Sequence, residues 1–196
     1  MASKNVVGWG GAIVANNVDF VNNKIFLILK NYNYNQRSWE HARFIECKFR
    51  EVSNCYCGER FIDLHNVYNV AFEGCDFIHD VAECLPRMGI TAYYAKFSLT
   101  GRCVGFPCYQ KTPNRFLGAF NPAISVLNTI NFVYATVTIA DCIFESKGNR
   151  KIRLSGVSIA HVYSNVFNLQ SHHTKEAILL TDCPVFCVED NTITYS

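Results

Sequence analysis

Two carboxylates, Glu46 and Glu73, each sit just before a cysteine, Cys47 and Cys75, in segments of similar pattern. If those segments stack as neighbouring layers, the two carboxyl groups come close enough for one pKa to be pushed up. General acid/base pairs in glycoside cleavage need that separation of pKa values. Asp141, Glu189 and Asp190 occupy matching places elsewhere. Acidic residues there would equally solvate a turn, and Lys48 and Asp76 could pair across the same two layers. A second constellation is KNYNYNQRSWEHAR (30–43), where Tyr32, Tyr34 and Trp39 interleave with Arg37, amides and His41. Flat rings beside amide and guanidinium donors suit a sugar, whose C–H face stacks while its hydroxyls hydrogen-bond. Tyr32, Tyr34 and Arg37 are therefore the candidate ligand-binding residues, and Trp39 also fits an apolar core position. A third cluster, GRCVGFPCYQKTPNR (101–115), joins Cys103 and Cys108 to two prolines and several basic groups. Cys103/Cys108 and Cys55/Cys57 are candidates for a disulfide or a metal. Neither forms the paired C-x-x-C arrangement of zinc ribbons, and His172–His173 bring no further ligand. No metal site and no cofactor are expected.

The elements that would position these groups emerge from an internal repeat. Five segments superimpose without gaps on an anchor residue: Cys47, Cys75, Cys142, Asn165 and Asn191. Two residues after each stand Phe49, Phe77, Phe144, Phe167 and Ile193. Apolar residues also stand three, five and eight places before every anchor. With half the chain apolar, chance gives twenty apolar matches about once in a million, before discounting the freedom to choose offsets. Val18, with Ala15 and Phe20, is a weaker sixth copy. Repetition at this length, roughly 23 to 28 residues, means stacked units. Ten cysteines are too few for a disulfide scaffold. Cys47 and Cys75, at equivalent anchor sites, read as buried free thiols.

Two solenoids share the half-motif. Written from eight before the anchor, it also reads as the leucine-rich-repeat pattern. Ile62/Leu64, Ile152/Leu154 and Ile178/Leu180, however, alternate with period two, which puts both side chains on one face of a strand. Polar, helix-poor stretches such as Glu145–Lys151 read as turns. The expectation is an all-β, single-stranded right-handed parallel β-helix over residues 1–196, with an irregular excursion at about 85–123. A leucine-rich-repeat solenoid is the alternative.

Segments 61–77 (FIDLHNVYNVAFEGCDF), 151–167 and 176–193 resemble coils of the pectin-lyase-like parallel β-helix superfamily. The opening GWGGAIVANNVDFVNN (8–23) is similar to repeats of secreted β-helical adhesins. The resemblance covers roughly two-thirds of the chain and implies the fold. That superfamily spans polysaccharide lyases, glycoside hydrolases, phage tailspikes, adhesins and structural spacers. The chain shows no clustered Asp-Asp with His and Arg-x-Lys downstream, so no catalytic role carries over from it.

Composition narrows the partners. The net charge is +2, with no Lys/Arg run, so the basic stripe that nucleic acid requires is not visible. No apolar run reaches the length of a membrane span. The N-terminus lacks a signal-peptide core and the repeat runs to the last residue, which reads as a piece of a larger protein. Nineteen Asn without an N-x-S/T sequon fit a bacterial or viral source. The expected function is a binding or scaffold module of a bacterial or viral surface or tail protein, placed extracellularly or on a virion. It would contact a polysaccharide or a protein through a lateral face. The alternative is a carbohydrate-active enzyme using outer-face carboxylates. Oligomerisation is left open.

Overall fold

The computed structural model describes residues 6–8, 13–30, 42–53, 60–81, 86–148, 150–169 and 176–195. Among these residues every regular element is a strand and none is a helix. A 12-stranded and a 7-stranded sheet account for all of them except one 2-stranded hairpin.

The two large sheets resolve into three columns. The first holds Val6–Gly8, Leu27–Lys30, Arg60–His65, Met88–Tyr93 and Glu176–Thr181. The second holds Ile13–Asn16, Ala42–Ile45, Val70–Glu73, Phe97–Thr100 and Val185–Glu189. Two long strands, Ile124–Ala140 and Arg150–Tyr163, run through both of these columns. The third column is the 7-stranded sheet, from Asp19–Val21 to Thr192–Tyr195. The chain visits the columns in turn and pairs each new strand in parallel with its equivalent one rung earlier. This succession of parallel rungs is compatible with a parallel β-helix or solenoid. Strands fill all three columns, so no helical layer of a leucine-rich horseshoe occurs among the described residues.

Period-two alternation explains the interior. Ile62, Leu64, Ile90, Ala92, Ile124, Val126, Ile152 and Leu154 are fully buried on the first column, while the residues between them face outward. Because equivalent residues lie about 4.8 Å apart along the stack, identical side chains form ladders. Phe20, Phe49, Phe77, Phe116, Phe144 and Phe167 stack with centroids 4.8, 5.3, 4.5, 5.1 and 4.9 Å apart. The phenylalanines that stand two places after the repeat anchors thus lie on one another, Phe49 on Phe77 and Phe144 on Phe167.

Corner geometry sets the anchor. Asn17, Glu46, Gly74, Asp141, Ser164 and Asp190, each one residue before an anchor-equivalent position, have φ of 55, 51, 61, 52, 54 and 53°. This left-handed kink turns the chain from the second column into the third, and Asn, Asp and Gly tolerate it best. The anchor side chain then points inward. Asn165 accepts a hydrogen bond from the Cys142 amide at 3.0 Å and donates to the Ile139 carbonyl at 2.9 Å. Both partners lie one rung back, so a single carboxamide satisfies two buried backbone groups that the turn leaves open. Cys47, Cys75 and Cys142 are fully buried free thiols, and Cys142 and Cys75 give their S–H to nearby carbonyls. Burial pushes the Cys142 thiol pKa up.

The stretch read as an excursion contains a rung. Met88–Tyr93, Phe97–Thr100 and Asn114–Gly118 pair on both sides. Among the described residues of this stretch, only the antiparallel hairpin Arg102–Val104/Gln110–Thr112 leaves the stack. Asn114 is the anchor there, accepting from the Cys75 amide at 2.8 Å and donating to the Thr100 carbonyl at 2.8 Å. Its distance from Phe97–Thr100 is what hides the repeat from a gapless alignment.

Candidate functional site

Since Ile62 and Leu64 are locked inward, Asp63 and His65 in the same strand must face out. The register carries this outward row along the first column as Ile28, Asp63, Thr91, Ser125, Arg153 and Leu179. Beside it, Lys30, His65 and Tyr93 are register neighbours in three successive rungs. The middle of the row is closed to solvent: Asp63, Thr91 and Ser125 are buried although they sit on the outer face.

Asp63 organises one end of this cradle. Its Oδ1 lies 2.8 Å from His65 Nε2 and 3.1 Å from Arg60 NH1, and its Oδ2 lies 3.1 Å from Lys30 Nζ. Burial by itself would raise the Asp63 pKa, but His65, Lys30 and Arg60 outweigh it and hold the carboxyl below its usual range. The aspartate is thus a fixed anion that gathers two permanent cations and an imidazole, each about one-third exposed. His65 also contacts Tyr93, ring centroid to centroid 4.6 Å. Two rungs beyond Thr91 the row reaches Arg153, half-buried and in no ion pair among the described residues, before it passes to Leu179. Against the single carboxylate stand Lys30, Arg60 and Arg153, so the cradle has an excess of positive charge. The half-buried Tyr93 ring stands beside it.

The residues singled out from the sequence lie elsewhere. Tyr32, Tyr34 and Arg37, with Trp39, fall outside the described residues, as do Cys55, Cys57, His172 and His173. Glu73 faces outward on the second column, where both its oxygens engage Arg43 at 2.6 and 2.8 Å. Glu46 sits in the left-handed corner and pairs with Arg102 of the hairpin at 3.2 Å. The two belong to adjacent rungs, their backbones joined by the Glu46 amide and the Glu73 carbonyl at 2.8 Å, but each carboxylate is directed to its own arginine. Lys48 and Asp76 are register partners as anticipated, although Asp76 is held by Arg115 in a bidentate pair at 2.7 Å. Cys103 and Cys108 form a disulfide. Among the described residues no group of three or more His, Cys, Asp or Glu could hold a metal, and no helix is long and apolar enough to cross a membrane.

Sequence reasoning stopped at the inward half of FIDLH. The outward half, Asp63 and His65, was available from the same alternation, but Tyr93 and Arg153 needed the register of two further rungs. Comparison with protein-family models, with curated proteins and with solved structures finds no match for this chain.

Proposed function

We propose that this chain is a right-handed parallel β-helix module of the pectin-lyase-like kind that binds an acidic glycan along its first-column face. It would belong to a larger bacterial or viral surface or tail protein, displayed extracellularly or on a virion. The observation that carries the reading is the outward row in which a buried Asp63 fixes Lys30, Arg60 and His65 at one end. The buried Thr91 and Ser125 space this end from Arg153, three rungs away on the same row. A saccharide bearing carboxylate or sulfate groups finds there cations to match its anions and the Tyr93 ring for a C–H face. The strands that carry these groups are fixed by the ladders beneath, so little ordering is left to binding.

The test is calorimetric titration with oligogalacturonate, a sulfated oligosaccharide and a neutral oligosaccharide. The acidic ligands bind and the neutral one binds at least about tenfold more weakly. Arg153→Ala and Tyr93→Ala each weaken acidic binding by about tenfold, with the circular dichroism spectrum unchanged. Equal affinity for acidic and neutral ligands, or no effect of either substitution, removes the reading. The pairing of His65 with Asp63 beside Tyr93 also supports a second reading, a carbohydrate-active enzyme with His65 as the proton acceptor. New reducing ends or absorbance of unsaturated product in the same mixtures, abolished by His65→Gln, would establish it.

A further inference from the structure

The second-column strand Phe97–Thr100 leads straight into the hairpin Arg102–Val104/Gln110–Thr112, whose tip is closed by the Cys103–Cys108 disulfide. Both hairpin strands are tied to the stack. Arg102 Nε lies 3.2 Å from Glu46 Oε1, and Lys111 Nζ 2.8 Å from Asp141 Oδ2. At the hairpin's base, a Cβ added to Gly101 would meet the Asp141 Cβ at 2.8 Å. Yet the tip is bare: Phe106 is 101%, Tyr109 88% and Val104 52% exposed. Two aromatic rings on a cross-linked, anchored turn have little conformational entropy to lose on burial, the property of a binding anchor. From Val104 to Gln110 the turn carries no charge, and the cations at its base are already neutralised by Glu46 and Asp141. An anionic surface has no free cation there to recruit.

A receptor for such an anchor lies at the other end of the same four-residue strand. An open trough of about 240 Å³ is lined by Asn69, Ala71, Lys96, Ser98, Thr136 and Thr138. Its floor, Ala71, Ser98 and Thr138, is one register row across three rungs, and three small residues there make the depression. An engineered apolar cavity of about 150 Å³ accepts benzene, so this space admits a phenylalanine ring. Lys96 at its edge is exposed and makes no ion pair among the described residues, leaving an ammonium to meet an aromatic face. The full exposure of Phe106 means that the chain's own finger does not occupy its own trough. Finger and trough flank one short strand, so two copies related by a two-fold axis can exchange them reciprocally.

We propose that the chain self-associates through its second-column face, the Phe106 finger of one copy seated in the Ala71/Ser98/Thr138 trough of another. Sedimentation velocity over a concentration series tests this with wild type, Phe106→Ser and Ser98→Trp, each checked for native circular dichroism. Wild type forms a dimer, and both variants raise its dissociation constant at least about tenfold. Should Ser98→Trp lose the native spectrum, Thr138→Glu replaces it as the trough variant. Wild type that stays monomeric throughout overturns the proposal. So does a Phe106→Ser variant that dimerises as wild type, or loss of the dimer on changing the finger but not the trough. Acidic-glycan binding on the first-column face is expected to be unchanged in all variants, so the two readings stand or fall separately.

Discussion

Inside the corner between the third and first columns, Arg87, Glu51 and His79 are fully buried. Arg87 NH1 donates to Glu51 Oε2, His79 Nδ1 lies 3.2 Å from the same oxygen, and Arg87 also donates to the carbonyls of Lys24 and Arg60. The guanidinium carbon sits 4.5 Å from the Phe61 ring centroid. Replacing Glu51 by Ala leaves this guanidinium without its counter-charge in the interior, at a cost of about 3–5 kcal/mol. Against a total stability of about 5–15 kcal/mol, that is a large fraction. The double variant Glu51→Ala/Arg87→Met removes both charges but takes the donor from the Lys24 and Arg60 carbonyls, so it is expected to cost well less than the sum of the two single variants. A double-mutant cycle by urea unfolding therefore returns a coupling of at least about 2 kcal/mol. The pair also predicts a pH dependence. Burial by itself would raise the Glu51 pKa, but His79 and Arg87 outweigh it and hold the carboxyl below its usual range. With the folded pKa below an unfolded value of about 4.3, the stabilisation is fully present above that pH. It disappears as pH falls through the folded pKa. A Glu51→Ala variant losing under about 1 kcal/mol, or a double variant losing the sum of the singles, refutes the reasoning.

Phe116→Ala opens the ladder between Phe77 and Phe144 and is expected to cost about 3–5 kcal/mol by the same unfolding assay. Asn165→Ala strands the Cys142 amide and the Ile139 carbonyl, about 1–3 kcal/mol for each; Asn165→Cys, the residue at three equivalent sites, should cost less. Lys151 is buried with its pKa pulled down to about 8 by desolvation, its ammonium donating to the Ser146 and Gly148 carbonyls. Between about pH 8 and about pH 10 the unfolded chain holds a proton that the folded one has released, so stability rises with pH across that window. Thermal melts at pH 8 and pH 10 check this, and Lys151→Met should flatten the difference.

The inward half of the fold was legible because a stack repeats its own interior. An anchor, an aromatic two residues later and an I-x-L pair recur whenever the chain passes the same place, and gapless alignment finds them. Phe116 and Asn114 escaped for a mechanical reason: the hairpin at 102–112 lengthens that rung at a corner without disturbing the ladders on either side. The carboxylates of Glu46 and Glu73 were placed in adjacent rungs correctly, but their partners were not readable. Arg43 reaches Glu73 from the preceding rung, and Arg102 reaches Glu46 from the hairpin. The buried Arg87 left no periodic trace, since it sits at a corner and not in a ladder.

This division has a physical cause that bears on where function can reside. Inward positions are constrained by neighbours above and below at about 4.8 Å, so a substitution there must satisfy two rungs at once and the repeat persists. Outward positions face no such demand, and a row such as Asp63, Thr91, Ser125 and Arg153 can vary rung by rung while the scaffold stays the same. Chemistry on this fold is therefore written across rungs, perpendicular to the chain, in residues about one repeat apart. The useful reading of such a sequence aligns the rungs on their anchors and then examines the columns between the ladders. By that procedure IDLHN, ITAYY, ISVLN and IRLSG bring Asp63, Thr91, Ser125 and Arg153 into a single line without any recourse to similarity.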